Sequence, residues 1–226
     1  MSSLSSICRD LDAALEPSGI LRRGAVDFAA GEGPLLATGR HASSVILLGN
    51  IGSSIWNAFS RWKVRYDGPD PLDTWSKVII RPLAEELGGT AYFPSDPPWQ
   101  PFQQWAMRAE GLKLSPLGIL IHPDYGLWHG YRGAIGFSGK IGGDVAVGRH
   151  LCDACEAKPC LDTCPANAIA TDPARFALSA CRSHLAARAG QVGCRISGCI
   201  ARNACPAGAS YRYGEAQIRF HMQALH

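Results

Sequence analysis

Cys152-Asp-Ala-Cys155-Glu-Ala-Lys-Pro-Cys160-Leu-Asp-Thr-Cys164-Pro165 opens the stretch on which the reading of this chain turns. A lone Cys181 follows, and then Cys194-Arg-Ile-Ser-Gly-Cys199-Ile-Ala-Arg-Asn-Ala-Cys205-Pro206. Eight of the nine cysteines lie here, seven of them in two runs that each close on Cys-Pro. Such paired runs mark a protein with two iron–sulfur clusters. In each run three closely spaced thiolates hold one cluster, and the cysteine before proline reaches across to the other. The crossing makes either run useless alone, so one small lobe is expected to hold both.

Two other uses of cysteine compete with this one. A disulfide framework needs an oxidising compartment, but Met1-Ser-Ser-Leu-Ser-Ser-Ile7 lacks the basic start and apolar core of a secretory signal, which points to the cytoplasm. Structural zinc uses closed C-x2-C pairs, and only Cys152/Cys155 has that spacing. Zinc stays the rival. The usual cluster run is C-x2-C-x2-C-x3-C-P, whereas four residues, Glu156 to Pro159, separate Cys155 from Cys160. That spacing resembles the seven-iron ferredoxins, so the first site is open between a 4Fe-4S and a 3Fe-4S cluster.

Outward from the cysteines, 226 residues suffice for one medium domain and a small appended one. With 46% apolar and 18% charged residues the chain is globular, and a net charge of +3 is too mild to call for a nucleic-acid partner. No apolar run is long enough for a membrane span. Leu4, Ile7, Cys8, Leu11 and Leu15 fall at helical spacing, which puts Cys8 on an apolar face as a buried thiol. Strands are expected at 23–28, 44–49, 90–93 and 117–122. Helices are expected at 55–62, 102–109 and 74–87, the last capped by Asp73 and burying Trp75, Val78, Ile79, Leu83 and Leu87. Asn50-Ile-Gly52-Ser53-Ser54 reads as a tight turn, with an anion-binding nest as the lesser alternative. Pro94–Pro101 must be a shaped loop.

Leu117-Gly-Ile-Leu-Ile-His122 leads into Pro123-Asp124-Tyr125-Gly126-Leu127-Trp128-His129-Gly130-Tyr131-Arg132-Gly133. Glycines and aromatics at such a corner suit either a large flat cofactor or a well-packed hairpin. The stretch resembles the His-Pro-x-aromatic-Gly-x-Trp…Arg-Gly segment of cblC-type cobalamin-processing proteins. It also resembles epoxyqueuosine reductase, in which a corrinoid-binding domain precedes two similarly ordered cluster runs.

The resemblance implies an α+β, nitroreductase-like sheet-and-helix domain over 1–148 that binds cobalamin. A ferredoxin-like iron–sulfur domain over 149–214 would follow, tethered by Gly139-Lys-Ile-Gly-Gly143, with a C-terminal helix at 215–226. It implies that Cys152, Cys155, Cys160 and Cys205 bind one cluster and Cys164, Cys181, Cys194 and Cys199 the other. His122, Tyr125, Gly126, Trp128 and Arg132 would meet the corrinoid. The function implied is an oxidoreductase that passes single electrons from a donor protein to a corrinoid. A plain electron-transfer ferredoxin and a flavin-dependent nitroreductase-like enzyme are the alternatives. Asp96-Pro-Pro and Gly111–Pro116 depart from the reductase pattern, which speaks against reduction of a tRNA base.

Overall fold

The computed structural model describes residues 4–142 and 149–225; Gly143 of the expected tether lies outside them. In place of one cut at 148, the chain forms two compact units. The first comprises Met1–Gly111 and Gly130–Val147, the second Leu112–His129 and Gly148–His226. Residues 112–129, expected in the front domain, thus group with the cysteine-rich unit. The C-terminal helix belongs there too.

The first unit is built on a four-stranded sheet in the order β1 (Leu21–Asp27), β2 (Ser44–Ile51), β6 (His129–Phe137), β3 (Thr90–Tyr92). β1 runs antiparallel to β2, and β3 antiparallel to β6 with Thr90 opposite Gly136. The central position of β2 follows from its sequence. Ser-Val-Ile-Leu-Leu-Gly-Asn-Ile has no charge, and seven of its eight residues are buried, as a strand covered on both faces requires. Helices α1 (Leu4–Leu15) and α4 (Phe102–Glu110) pack on β1, and α3 (Pro71–Glu86) packs on β3. α2 (Trp56–Lys63) lies against α3, with Phe59 edge-on to Trp75 at 5.7 Å.

Several local expectations shift. α3 begins at Pro71, where the missing N–H costs nothing, so Asp73 lies inside the first turn and is not the cap. Its buried face is Leu72, Trp75, Ser76, Ile80, Leu83 and Ala84, so Trp75 and Leu83 are buried as expected, whereas Val78 is 53% exposed and Ile80 takes the inward place. Cys8 on α1 is only partly buried. Asn50–Ser54 is a turn closed on itself, the Asn50 amide donating to the Gly52 carbonyl at 3.0 Å.

In the second unit, the run 117–122 is not one strand. Gly118 at φ +72° turns the chain, and Ser115 N–H donates to the Ile119 carbonyl. What remains is a short hairpin of β4 (Lys113–Leu114) and β5 (Leu120–Ile121). Six short helices follow: α5 (Pro159–Asp162), α6 (Leu178–Ala186), α7 (Arg188–Val192), α8 (Cys194–Ser197), α9 (Ile200–Ala204) and α10 (Glu215–Gln223). Their core is small. Leu185 of α6, Cys194 of α8 and Met222 of α10 are buried together, with Cys181 and Ile218 packed against them.

Candidate functional site

All nine cysteines are unbridged. Cys8 sits in the first unit and the other eight in the second.

Cys152, Cys155, Cys160 and Cys205 line one cavity of about 410 Å³. The chain reaches this arrangement by bending at Lys158, which holds a left-handed φ of 37°, before Pro159 starts α5 and presents Cys160. Cys205 arrives from the other end of the unit, directly after α9. Burial, and then proximity to Cys205, Cys160 and Cys155, pushes the Cys152 thiol up to about 11. Burial also raises Cys160 and Cys205. Backbone N–H groups act the other way, that of Leu161 on Cys160 and that of Ala207 on Cys205.

The remaining four form a second set. Burial raises the Cys181 thiol, and Cys164 and Cys194 raise it further. Burial raises Cys199 as well, against the pull of the Arg202 N–H, with Cys194 and Cys164 adding to the rise. Ala168 N–H donates to Cys164 Sγ at 3.4 Å, and His184 Nε2 lies 3.8 Å from Cys194 Sγ. Among the described residues no three His, Cys, Asp or Glu side chains converge on one metal ion. The first set lines a cavity rather than converging on a point.

The aromatic corner divides between the units: His122, Tyr125, Gly126 and Trp128 fall in the second, Arg132 in the first. His122 and Gly126 exchange both backbone hydrogen bonds at 2.9 Å, closing a tight loop. His122 Nδ1 accepts from the N–H groups of Asp124 at 3.0 Å and Tyr125 at 3.3 Å, and its ring stacks on Tyr125 with centroids 4.1 Å apart. Tyr125 meets Tyr211 edge-on at 5.0 Å. Gly126, at φ +56°, lies against the backbone of Ala207.

Trp128 is 1% exposed. Arg202 lies over its ring at 4.3 Å and over Tyr213 at 4.9 Å, and donates to the Leu127 carbonyl. Gly126 and Trp128 thus pack the corner against the 202–213 segment. Arg132 Nη1 lies 3.9 Å from Asp73 Oδ1.

Sequence reasoning missed a buried network in the first unit. Arg23 Nη2 meets Glu110 Oε2 at 2.5 Å, and Glu110 Oε1 accepts from Gly24 N–H at 3.1 Å. The Arg23 guanidinium also lies 5.2 Å from the centre of the Tyr131 ring, a phenol whose pKa burial pushes far up. No periodic signal marks these partners, since 87 residues separate Arg23 from Glu110. The Asp96 carboxylate, in contrast, is at the surface, paired with Lys77 and with Arg81 at 2.9 Å.

The crystal structure of a C. elegans B12-trafficking protein CblC, a human MMACHC homologue, matches this arrangement with a TM-score of 0.53. The match covers 98% of this chain and 92% of that one, at 14% sequence identity. The chain has a CblC-like fold. No family model matches the sequence, and no curated protein matches it. The CblC-like fold is mixed α/β with a small antiparallel sheet, in line with the α+β expectation. None of its described helices is long and apolar enough to cross a membrane.

Proposed function

We propose that this chain is a corrinoid-binding redox protein with two iron–sulfur clusters. Cys152, Cys155, Cys160 and Cys205 would hold one, and Cys164, Cys181, Cys194 and Cys199 the other. The observation that carries the reading is the crossing of the two runs. Cys205, the last cysteine of the chain, lines the same cavity as the first run, while Cys164 keeps company with Cys181 and Cys199 of the later segment. This exchange of the Cys-Pro cysteines is what a two-cluster lobe needs.

The donor chemistry fits. Soft thiolates suit iron and sulfide, and the N–H groups of Leu161, Ala168, Arg202 and Ala207 are placed to stabilise them once deprotonated. Bound clusters would supply single electrons. The corrinoid part rests on the CblC-like fold, found in a protein described as B12-trafficking. That likeness supports a cobalamin-processing role, and with it a nitroreductase-like kinship of the first unit. His122 would serve as a hydrogen-bond donor rather than a cobalt ligand. Two backbone N–H groups occupy Nδ1, which leaves the proton on Nε2.

The test is anaerobic reconstitution of the full chain with iron and sulfide, followed by titration with cob(II)alamin and, separately, with FMN. The full chain is needed because residues 112–129 group with the cysteine-rich unit. About eight irons with matching labile sulfide are expected, unchanged in Cys8→Ser and roughly halved in Cys164→Ser or Cys205→Ser. Bound zinc without sulfide refutes the clusters. Binding of FMN but not of cob(II)alamin refutes the corrinoid.

A further inference from the structure

The charge of the second unit is distributed unevenly along the chain. From Arg149 to Asp172 it holds Arg149 and Lys158 against Asp153, Glu156, Asp162 and Asp172, a net of −2. From Arg175 to Arg219 it holds seven arginines (175, 182, 188, 195, 202, 212 and 219) and one acid, Glu215, a net of +6. This basic segment is the one that carries Cys181, Cys194 and Cys199.

Arg175, Arg182, Arg188 and Arg219 are exposed, and among the described residues no carboxylate pairs with them. Exposed aliphatic side chains stand on the same or neighbouring helices. Leu178 is on α6, and Val192, Ile196 and Ile200 recur at four-residue intervals through α7, α8 and α9, with Val192 67% exposed. α6, α7, α8 and α10 pack successively on the core that contains Cys181 and Cys194. Leu178, Arg182, Arg188, Val192, Ile196 and Arg219 thus stand exposed on α6, α7, α8 and α10, helices gathered around the core that contains Cys181 and Cys194.

We propose that this face docks an acidic one-electron carrier protein of the flavodoxin kind, delivering electrons at the second thiol set. The inference rests on the cluster reading above and names the partner that reading requires. Exposed aliphatic side chains accompanied by arginines suit a transient electron-transfer contact. The sign of the charge selects an acidic partner and speeds its encounter. Nucleic acid fits less well, because the apolar residues here are aliphatic and offer no stacking platform. Each docking event balances simply: an anionic flavin hydroquinone gives up one electron and leaves as the neutral semiquinone, with no proton to place, and the group held by the thiolates gains that electron.

The test uses the reconstituted full chain, R182E/R188E/R219E, and a charge-matched control, R40E/R61E/R65E, in the first unit. Calorimetry with oxidised flavodoxin is expected to give binding that weakens about tenfold or more from about 50 to about 500 mM NaCl. Binding should vanish in the first variant and survive in the control. Bleaching of the cluster absorbance by flavodoxin hydroquinone should slow in parallel, while bleaching by dithionite stays the same. Equal flavodoxin binding by all three proteins, with normal dithionite bleaching, overturns the docking face and leaves the clusters standing. Absence of cluster absorbance in the wild-type protein overturns the cluster reading, and the docking role with it. Salt-sensitive capture of single-stranded RNA by wild type but not by R182E/R188E/R219E, without flavodoxin binding, reassigns the face to nucleic acid.

Discussion

A Cβ added to Gly126 would stand 1.9 Å from the carbonyl oxygen of Ala207. The residue that turns the aromatic corner is thus held by the loop that follows Cys205. Gly126→Ala meets a backbone that cannot rotate away, besides a left-handed φ that alone costs about 1–2 kcal/mol. The variant should lose stability and iron even when no corrinoid is present. Thermal unfolding of corrinoid-free protein checks this, and an unchanged midpoint would show that the backbone contact is not made.

Arg202 is the second clasp. Replacing it by Met removes a charged hydrogen bond to Leu127 O and the stacking on Trp128 and Tyr213. A hydrogen bond to a charged group is worth about 1.5–3 kcal/mol, and a desolvated cation–π contact about 2. A loss of about 2–4 kcal/mol is expected in urea unfolding followed by tryptophan emission. Arg202→Lys should recover only part of it, since a point charge cannot both stack and reach the carbonyl.

His122 makes a prediction of small size. Its imidazole is 12% exposed and organises the 122–126 loop through Nδ1. His122→Ala should weaken cob(II)alamin binding by about one neutral hydrogen bond, roughly 0.5–1.5 kcal/mol, without altering the cob(II)alamin spectrum. A changed axial-ligand spectrum would make it a cobalt ligand instead.

Asp96 carries a pH dependence. Partial burial raises its pKa, but Lys77 and Arg81 outweigh this, so the carboxyl titrates below its ordinary 3.8. A depressed folded-state pKa contributes stability above the unfolded value, and that contribution disappears as pH falls through the folded one. Stability should therefore drop below about pH 4, and Asp96→Asn should flatten that part of the profile. Urea midpoints between about pH 6 and pH 3 supply the measurement. The same pairing keeps Asp96 ionised at neutral pH, so it is no ready proton donor.

Cys155 bears on the first cluster. It lines the cavity with the other three thiols despite the four-residue insertion after it, so a four-iron cube is expected there. Electron paramagnetic resonance of the oxidised protein should show no three-iron signal in wild type and should show one in Cys155→Ala. A three-iron signal already present in anoxic wild type would favour the seven-iron pattern.

That eight of the nine cysteines share one unit was legible, because their spacing is a local pattern that survives wherever the chain later travels. β2 was equally plain, since an uncharged run of Val, Ile and Leu leaves little choice but burial. The middle of the α3 face was misread because Val78 and Ile79 are as apolar as Ile80, and only tertiary contacts select among them. The strand expected at 117–122 failed at Gly118, where a positive φ overrode the apolar pattern. Least legible was the corner. The packing partners of its glycine and tryptophan, Ala207, Arg202 and Tyr213, lie some eighty residues on, beyond the reach of any local pattern.

The five-residue helix α9 stands between Cys199, which belongs to the second thiol set, and Cys205, which belongs to the first. During synthesis this imposes an order. Cys152 leaves the ribosome first among the eight, yet its set is the last to be complete, because it waits for Cys205. The second set is complete six residues sooner, at Cys199. A nascent chain stalled within α9 would expose three early thiols without their fourth, open to oxidation or to a foreign metal. On the cluster reading proposed above, delivery of iron and sulfur would be best timed to the finished chain, and filling the later set first would run with the direction of translation.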